Sequence, residues 1–347
     1  MAAYIGFQPS DFFNTKLYSA GTAPLAITGV GFQPDLTWIK SRTYADNHNV
    51  FDSVRGATDI LYPNDTWVED TQAESLKSWQ SDGFTVGTRN DTNRSGKTFA
   101  SWNWKAGTTS GLSGGTITPT SYSINTTSGF GIYAYGGNGT AGATFSHGLG
   151  TTPEFIMVKT LNYAYNWSIQ TPTTGNGSRM KLNTNAAKQV GADYWNNTSP
   201  TSTLITFGAN AEINSSSYNY IMYAFTPIKG YSRFGNYIGN GNIDGPFIYT
   251  GFRPAFVMSK AYSTTGQWMM NDNKRPLYHN GSGAVVYADS TGVETQNTGW
   301  TMVDFLSNGF KPRYNDGLNN ASGVGYIYMA FAEFPCVSSN SIPTVAR

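Results

Sequence analysis

The feature that most constrains this chain is a repeat. The segment Gly31-Phe32-Gln33-Pro34-Asp35-Leu36-Thr37-Trp38-Ile39-Lys40 has two echoes, Pro153-Glu154-Phe155-Ile156-Met157-Val158-Lys159 and Gly251-Phe252-Arg253-Pro254-Ala255-Phe256-Val257-Met258-Ser259-Lys260. In each copy the Lys falls six residues after the Pro. Further on, Asn93, Asn214 and Asn320 are each followed by aromatics at six and eleven residues: Phe99 and Trp104, Tyr220 and Phe225, Tyr326 and Phe331. The Pro-to-Asn spacing is 59, 61 and 66 residues. Ordered landmarks at near-constant spacing are the signature of one supersecondary plan written several times.

The length of 347 residues then reads as about three units of roughly 100 residues, a linker and short ends. The boundaries fall at 1–107 (an N-terminal segment plus the first unit), 108–121 (a Gly/Ser/Thr linker), 122–230, 231–335, and a tail at 336–347. Within a unit the apolar pattern is short and period-two, as in Tyr218 to Phe225, between Gly, Asn, Asp and Pro clusters. Asp82-Gly83 and Asn308-Gly309 suit tight turns. Asp70 to Trp79 is the one stretch that reads as a short helix. The expected fold is all-β: three tandem pseudo-repeats of a jelly-roll-like β-sandwich.

Composition narrows the function classes. Charged residues are 12% of the chain and aromatics 15%, with a net charge of +1, so no electrostatic footprint for nucleic acid exists. Cys336 stands alone and forms no internal disulfide. No apolar run approaches the ~20 residues of a membrane helix, and the start lacks a signal-peptide pattern.

No residue set spells a catalytic motif. His48, His147 and His279 have no metal-ligand spacing, and no nucleophile elbow or phosphate loop is present. Acids of the first unit (Asp52, Asp59, Asp65, Glu69, Asp70, Glu74) have no matched set in the others, which argues against a hydrolase carboxylate pair. Asn/Asp-rich loops such as Asn271-Asp272-Asn273 do not match an EF-hand and read as turns. No cofactor is expected. The tryptophans fall mostly on repeat landmarks and read as core. Tyr133, Tyr135, Tyr163, Tyr165 and Tyr194 read as lying in polar loops or at strand edges, which makes them the candidates for surface or glycan contact.

The repeat resembles one found in virion structural proteins of marine tailed bacteriophages. The residues that carry the likeness are Gly31 to Lys40, Phe51-Asp52-Ser53-Val54-Arg55-Gly56, Ser81 to Gly87, Gly136 to Gly150 followed by Pro153 to Lys159, and Gly245 to Val257; Thr151-Thr152, inserted before Pro153, and the lack of an Asp-Gly-Phe set the second unit apart. The likeness covers nearly the whole chain. It implies a non-enzymatic protein on the particle exterior, either a tail-fibre-like appendage or a capsid decoration, partnered by other virion proteins, host-surface glycans and further copies of itself. A carbohydrate-binding adhesin and a polysaccharide depolymerase are the alternatives. Tyr4, Phe7, Phe12 and Phe13 precede the first unit and are the candidate virion anchor. Deleting residues 2–16 is then expected to leave a folded protein that no longer joins the particle.

Overall fold

In a computed structural model of the chain, residues 6–276, 282–298, 303–315 and 317–334 are described. The protein is nearly all β, as the strand pattern predicts. Its three main sheets share one strand order. The first runs Phe13–Ser19, Thr98–Trp104, Leu36–Ser41, Asn49–Asp52, Gly56–Leu61, Asp70–Thr71. The second runs Phe130–Gly136, Asn219–Phe225, Phe155–Thr160, Ser168–Gln170, Ser178–Lys181, Gln189–Val190, with Ser121–Asn125 added beside Phe130–Gly136. The third runs Ser232–Ile238, Gly325–Ala332, Pro254–Ala261, Met269–Asp272, Ser282–Tyr287, Thr295–Thr298. Neighbouring strands within these sheets are antiparallel.

Each main sheet is backed by a small one. These pair Leu25–Thr28 with Gly83–Val86 and Leu76–Gln80, Ala143–Ser146 with Leu204–Phe207, and Ile248–Tyr249 with Gly309–Pro312 and Val303–Leu306. Between each large and small sheet lies a separate apolar core, around Phe51 and Phe84 in the first, Phe145 and Phe207 in the second, and Phe252 and Phe310 in the third. The opposite faces of all three main sheets meet in a fourth, shared core. Strands of the main sheets are therefore buried on both faces, which explains why the third-sheet strands Pro254–Ala261 and Gly325–Ala332 are buried at every position.

At the centre of the shared core, Trp104, Phe225 and Phe331 form a closed triangle. Their ring centroids lie 6.3, 5.9 and 5.7 Å apart. Each comes from the last landmark of its unit and sits opposite the strand that follows the Pro landmark: Leu36↔Trp104, Phe155↔Phe225, Phe256↔Phe331.

Two local expectations are corrected. Asp70 to Trp79 is not helical. Asp70–Thr71 and Leu76–Gln80 are strands, and the latter forms a hairpin with Gly83–Val86 in which Trp79 faces Phe84. Cross-strand packing there outweighs the helix formers Glu74, Leu76 and Lys77. Gly83, at φ +139, turns the hairpin, and a Cβ there would stand 2.0 Å from the Ile27 carbonyl oxygen. The stretch 108–121 is not slack linker either. Thr108 bridges Ile124, Gly115 and Ile117 bridge Phe145, and Ile117 is buried. The tail 336–347 lies outside the described residues.

Candidate functional site

Polar side chains capable of chemistry are gathered at the seams between the sheets. Lys40, Lys159 and Lys260, each six residues after a landmark Pro, are fully buried. Each ammonium donates to the carbonyl of the next residue and reaches across a seam. Lys40 donates to Thr291 O (3.3 Å), Lys159 to Thr66 O (3.1 Å) and Lys260 to Asn185 O (3.1 Å). Burial lowers all three pKa values to about 8, with Asp46, Glu212 and Asp65, and Asp289 respectively opposing.

The residue just before each of the strands Asn49–Asp52, Ser168–Gln170 and Met269–Asp272 supplies another latch. Trp167 Nε1 donates to Tyr62 O (2.9 Å) and Trp268 Nε1 to Lys181 O (2.9 Å), while His48 Nε2 meets Tyr287 O at 3.0 Å. His48 Nδ1 accepts from Trp38 Nε1 (2.8 Å), which assigns the proton to Nε2. Burial, with Lys40 nearby, pushes the His48 pKa well below the ordinary value. Backbone bonds repeat the pattern: Glu69 N to Leu161 O, Lys188 N to Tyr262 O, Glu294 N to Arg42 O. The latching Lys and ring side chains of the first sheet reach the third, those of the second reach the first, and those of the third reach the second. The contact is head-to-tail and closes after three steps.

Among the described residues a fourth latch is found at two seams. Tyr223 Oη donates to Asp52 Oδ2 (2.7 Å), and Trp102 Nε1 donates to Asp272 Oδ2 (3.0 Å). Both carboxylates also bind a buried arginine, Arg55 or Arg275, three residues on. The matching place in the second sheet, two residues past Ile169 as Asp52 is past Val50 and Asp272 past Met270, holds Thr171, whose Oγ1 lies 3.2 Å from Thr174 Oγ1, three residues on.

The acids are thus committed to structure. Glu212 accepts from Asn166 and Ser168 and pairs with Lys181. A groove of about 600 Å³ runs along the junction of the first and second sheets and contains Asp35. That carboxylate is already occupied by Ser53 Oγ (2.7 Å), Ser123 Oγ (3.2 Å) and Ala106 N (2.7 Å). A smaller hollow of about 100 Å³ holds Glu154 beside Tyr328 and Phe234, and burial raises the Glu154 pKa. His147 Nδ1 accepts from Leu149 N, and its Nε2 lies 3.2 Å from Thr201 O. His279 is outside the described residues. Among the described residues no His/Cys/Asp/Glu group is arranged to hold a metal ion, and no helix is long and apolar enough to cross a membrane.

The tyrosine candidates separate into two groups. Tyr133, Tyr135 and Tyr194 are at most 1% exposed, which corrects their assignment to the surface. The small sheet Ala143–Ser146/Leu204–Phe207 covers the face that Tyr133 and Tyr135 occupy, Tyr194 sits in the short helix Ala192–Trp195 within the same core, and burial raises all three pKa values. Tyr133 donates to His147 O and Tyr135 to Ile213 O. Tyr163 does lie at the surface, 47% exposed, and Tyr165 beside it is half-buried. They meet a third ring, Tyr218, with centroid separations of 4.6 Å (163–165), 5.0 Å (163–218) and 5.8 Å (165–218). Sequence reasoning missed Tyr218 because the strand pattern placed it in a buried run.

The anchor candidates are folded in. Phe7 and Phe12 pack edge-to-face against each other at 4.9 Å and against Tyr231. Phe13 is buried in the shared core, stacked 5.1 Å from Phe331. Tyr4 lies outside the described residues.

The chain matches a family over residues 8–335, which takes in all three sheets and every latch described. It belongs to the domain-of-unknown-function family DUF7483. No curated protein and no solved structure matches it. The DUF7483 match begins one residue after Phe7 and so includes Phe12 and Phe13, in keeping with their place in the core.

Proposed function

We propose that this DUF7483 chain is a non-enzymatic structural protein on the exterior of a tailed-bacteriophage particle, joined to other capsid or tail proteins and facing the host surface. We read the recurring strand order, with its recurring latches, as an internal triplication. The observation that carries the reading is the closed ring of seams. Buried lysines, indoles and carboxylates are spent on holding three sheets in one body. A part exposed outside a cell needs such rigidity, and here it is reached without a disulfide. A ring closed within one chain also offers neighbours three similar faces at the stoichiometry of a single copy. The sequence resemblance supplies the particle.

The test is location. Antibody to the full recombinant chain, together with peptide mass spectrometry, is applied to gradient-purified phage particles. The expected result is labelling of intact particles and a fixed copy number, low for a tail component and in the hundreds for a capsid decoration. A chain found only in the lysate, or reached only after particles are broken, overturns the proposal.

A further inference from the structure

We propose that Tyr163, Tyr165 and Tyr218 form a binding platform for a neutral sugar ring. The inference deepens the host-surface role proposed above, but it stands on separate observations.

The first observation is a comparison between sheets. Tyr163 follows Lys159 by four residues, as Tyr44 follows Lys40. Tyr44, still 37% exposed, has one ring face occupied by cations: the Arg94 guanidinium lies 3.5 Å over its ring, and Lys97 stands 5.8 Å away. Arg94 and Lys97 come one and four residues after the landmark Asn93; the corresponding residues after Asn214 are Ser215 and Tyr218. The cationic lid of the first sheet is therefore absent from the second, and an additional ring stands in its place. None of the cation–π contacts among the described residues involves the three platform rings.

The second observation is that the platform is held in place. Tyr165 N donates to Tyr163 O (2.9 Å), Leu161 N to Asn219 O (2.8 Å) and Asn219 N to Asn162 Oδ1 (2.9 Å). Asn166, next along the loop, is fixed by the Glu212 carboxylate on one side and Asn183 on the other. A ligand meets rings already in position, which lowers the ordering cost of binding.

The chemistry of the rim selects the ligand. Exposed neighbours are Asn162, Ser216, Ser217 and Asn219, all neutral donors and acceptors. A pyranose presents an apolar C–H face, which stacks on aromatic rings, and equatorial hydroxyls, which such a rim can bond. An anionic ligand would find no cation among these neighbours, and a cationic one would find the nearby acid, Glu212, turned inward to Asn166, Ser168 and Lys181. A stable protein interface needs about 800 Å² per partner with an apolar centre, far more than three half-covered rings.

The experiment uses the full chain against a printed array of neutral and acidic glycans, followed by saturation-transfer NMR with the strongest neutral oligosaccharide. Binding to neutral glycans is expected. Tyr163→Ala should weaken it by about tenfold, as loss of one stacked ring would. Tyr163→Phe should retain it within about threefold, because the stacking face is kept. Ser215→Arg, which restores the first sheet's lid, should abolish it while all three tyrosines remain. All variants should melt as the parent does. No retention on the neutral glycans, retention of acidic glycans only, or binding unchanged in Ser215→Arg overturns the site. None of these results bears on particle location, so failure here is distinguishable from failure of the proposed function.

Discussion

At the residue scale, the recurring sequence landmarks coincide with bonds the sequence does not display. Asn93, Asn214 and Asn320 each accept, through Oδ1, a backbone N–H of the glycine-rich turn after the first strand: Gly21, Asn138 and Asn240, all at 2.9 Å. Tyr18, Tyr135 and Tyr237 each stack on the aromatic six residues past that Asn, at 5.0, 5.1 and 5.0 Å. The recurrence was legible in the sequence. The reason for it was not, because each bond joins residues more than 70 positions apart. The buried charges at the seams give the molecule a pH dependence whose sign can be worked out. His48 has a folded pKa well below its ordinary 6.5, so below that value the unfolded chain binds a proton that the folded one does not. Stability therefore rises as pH climbs to about 6.5. The three lysines, lowered to about 8, make it rise again between about 8 and 10. Above about 10 the sign reverses, because Tyr18, Tyr133, Tyr135, Tyr223 and Tyr231 are buried and keep their protons only in the folded state. Urea midpoints measured from pH 5 to 11 should trace a dome with its maximum on the alkaline side of neutrality. A maximum near pH 6 would contradict this placement of the lysines. At a single seam, Asp272→Ala takes from the buried Arg275 its 2.7 Å carboxylate partner, leaving Glu294 at 3.5 Å and the Met270 carbonyl, and takes the acceptor from the Trp102 indole. The expected loss by chemical denaturation is about 1–3 kcal/mol, the range for leaving a buried donor unsatisfied.

At the element scale, the all-β character and the turns could be read, whereas faces and edges could not. Tyr133 and Tyr135, on one side of Phe130–Gly136, read from the sequence as lying in polar loops or at strand edges. In fact a separate two-stranded sheet covers that side. Nothing local announces such a cover, since its second strand, Leu204–Phe207, lies far along the chain. The same limit applies to residues 108–121, whose Gly/Ser/Thr composition reads as linker while Ile117 is drawn into the second sheet's core. The N-terminal segment carries a consequence for truncation. Phe13–Ser19 pairs along its whole length with Thr98–Trp104, an inner strand of the first sheet. Deleting residues 2–16 removes Phe13 and four paired positions, Phe13 to Lys16, and uncovers the edge of an inner strand. Losing a buried Phe alone costs about 3–5 kcal/mol. The truncated chain should therefore melt well below the parent or fail to fold. A circular dichroism melt of the deletion decides it. A stable protein lacking residues 2–16 would return the segment to the role of detachable anchor.

At the scale of the whole molecule, the shared core decides how the chain unfolds. Three sandwiches on a string would each melt on its own, and damage to one would leave the others intact. Here each main sheet buries one face against the other two, and the triangle Trp104–Phe225–Phe331 takes one ring from each. The face that the first sheet turns inward carries Phe13, Trp38, Trp102 and Trp104, all at most 3% exposed in the intact chain. Released alone, residues 6–107 would present that face to water as an apolar patch of the kind that drives aggregation. The head-to-tail latches add to the coupling, since removing any one sheet opens two seams. Calorimetry of the full chain should therefore show a single transition with equal calorimetric and van't Hoff enthalpies. Phe225→Ala, which opens the triangle, should shift that transition as a whole by about 3–5 kcal/mol of stability. The isolated first sheet should bind a hydrophobic dye and lack near-ultraviolet dichroism, the signs of strands without fixed packing. Three separable transitions, or a Phe225→Ala profile in which only one part of the heat absorption moves, would mean that the seams hold independently stable bodies and that the central core does not govern their folding.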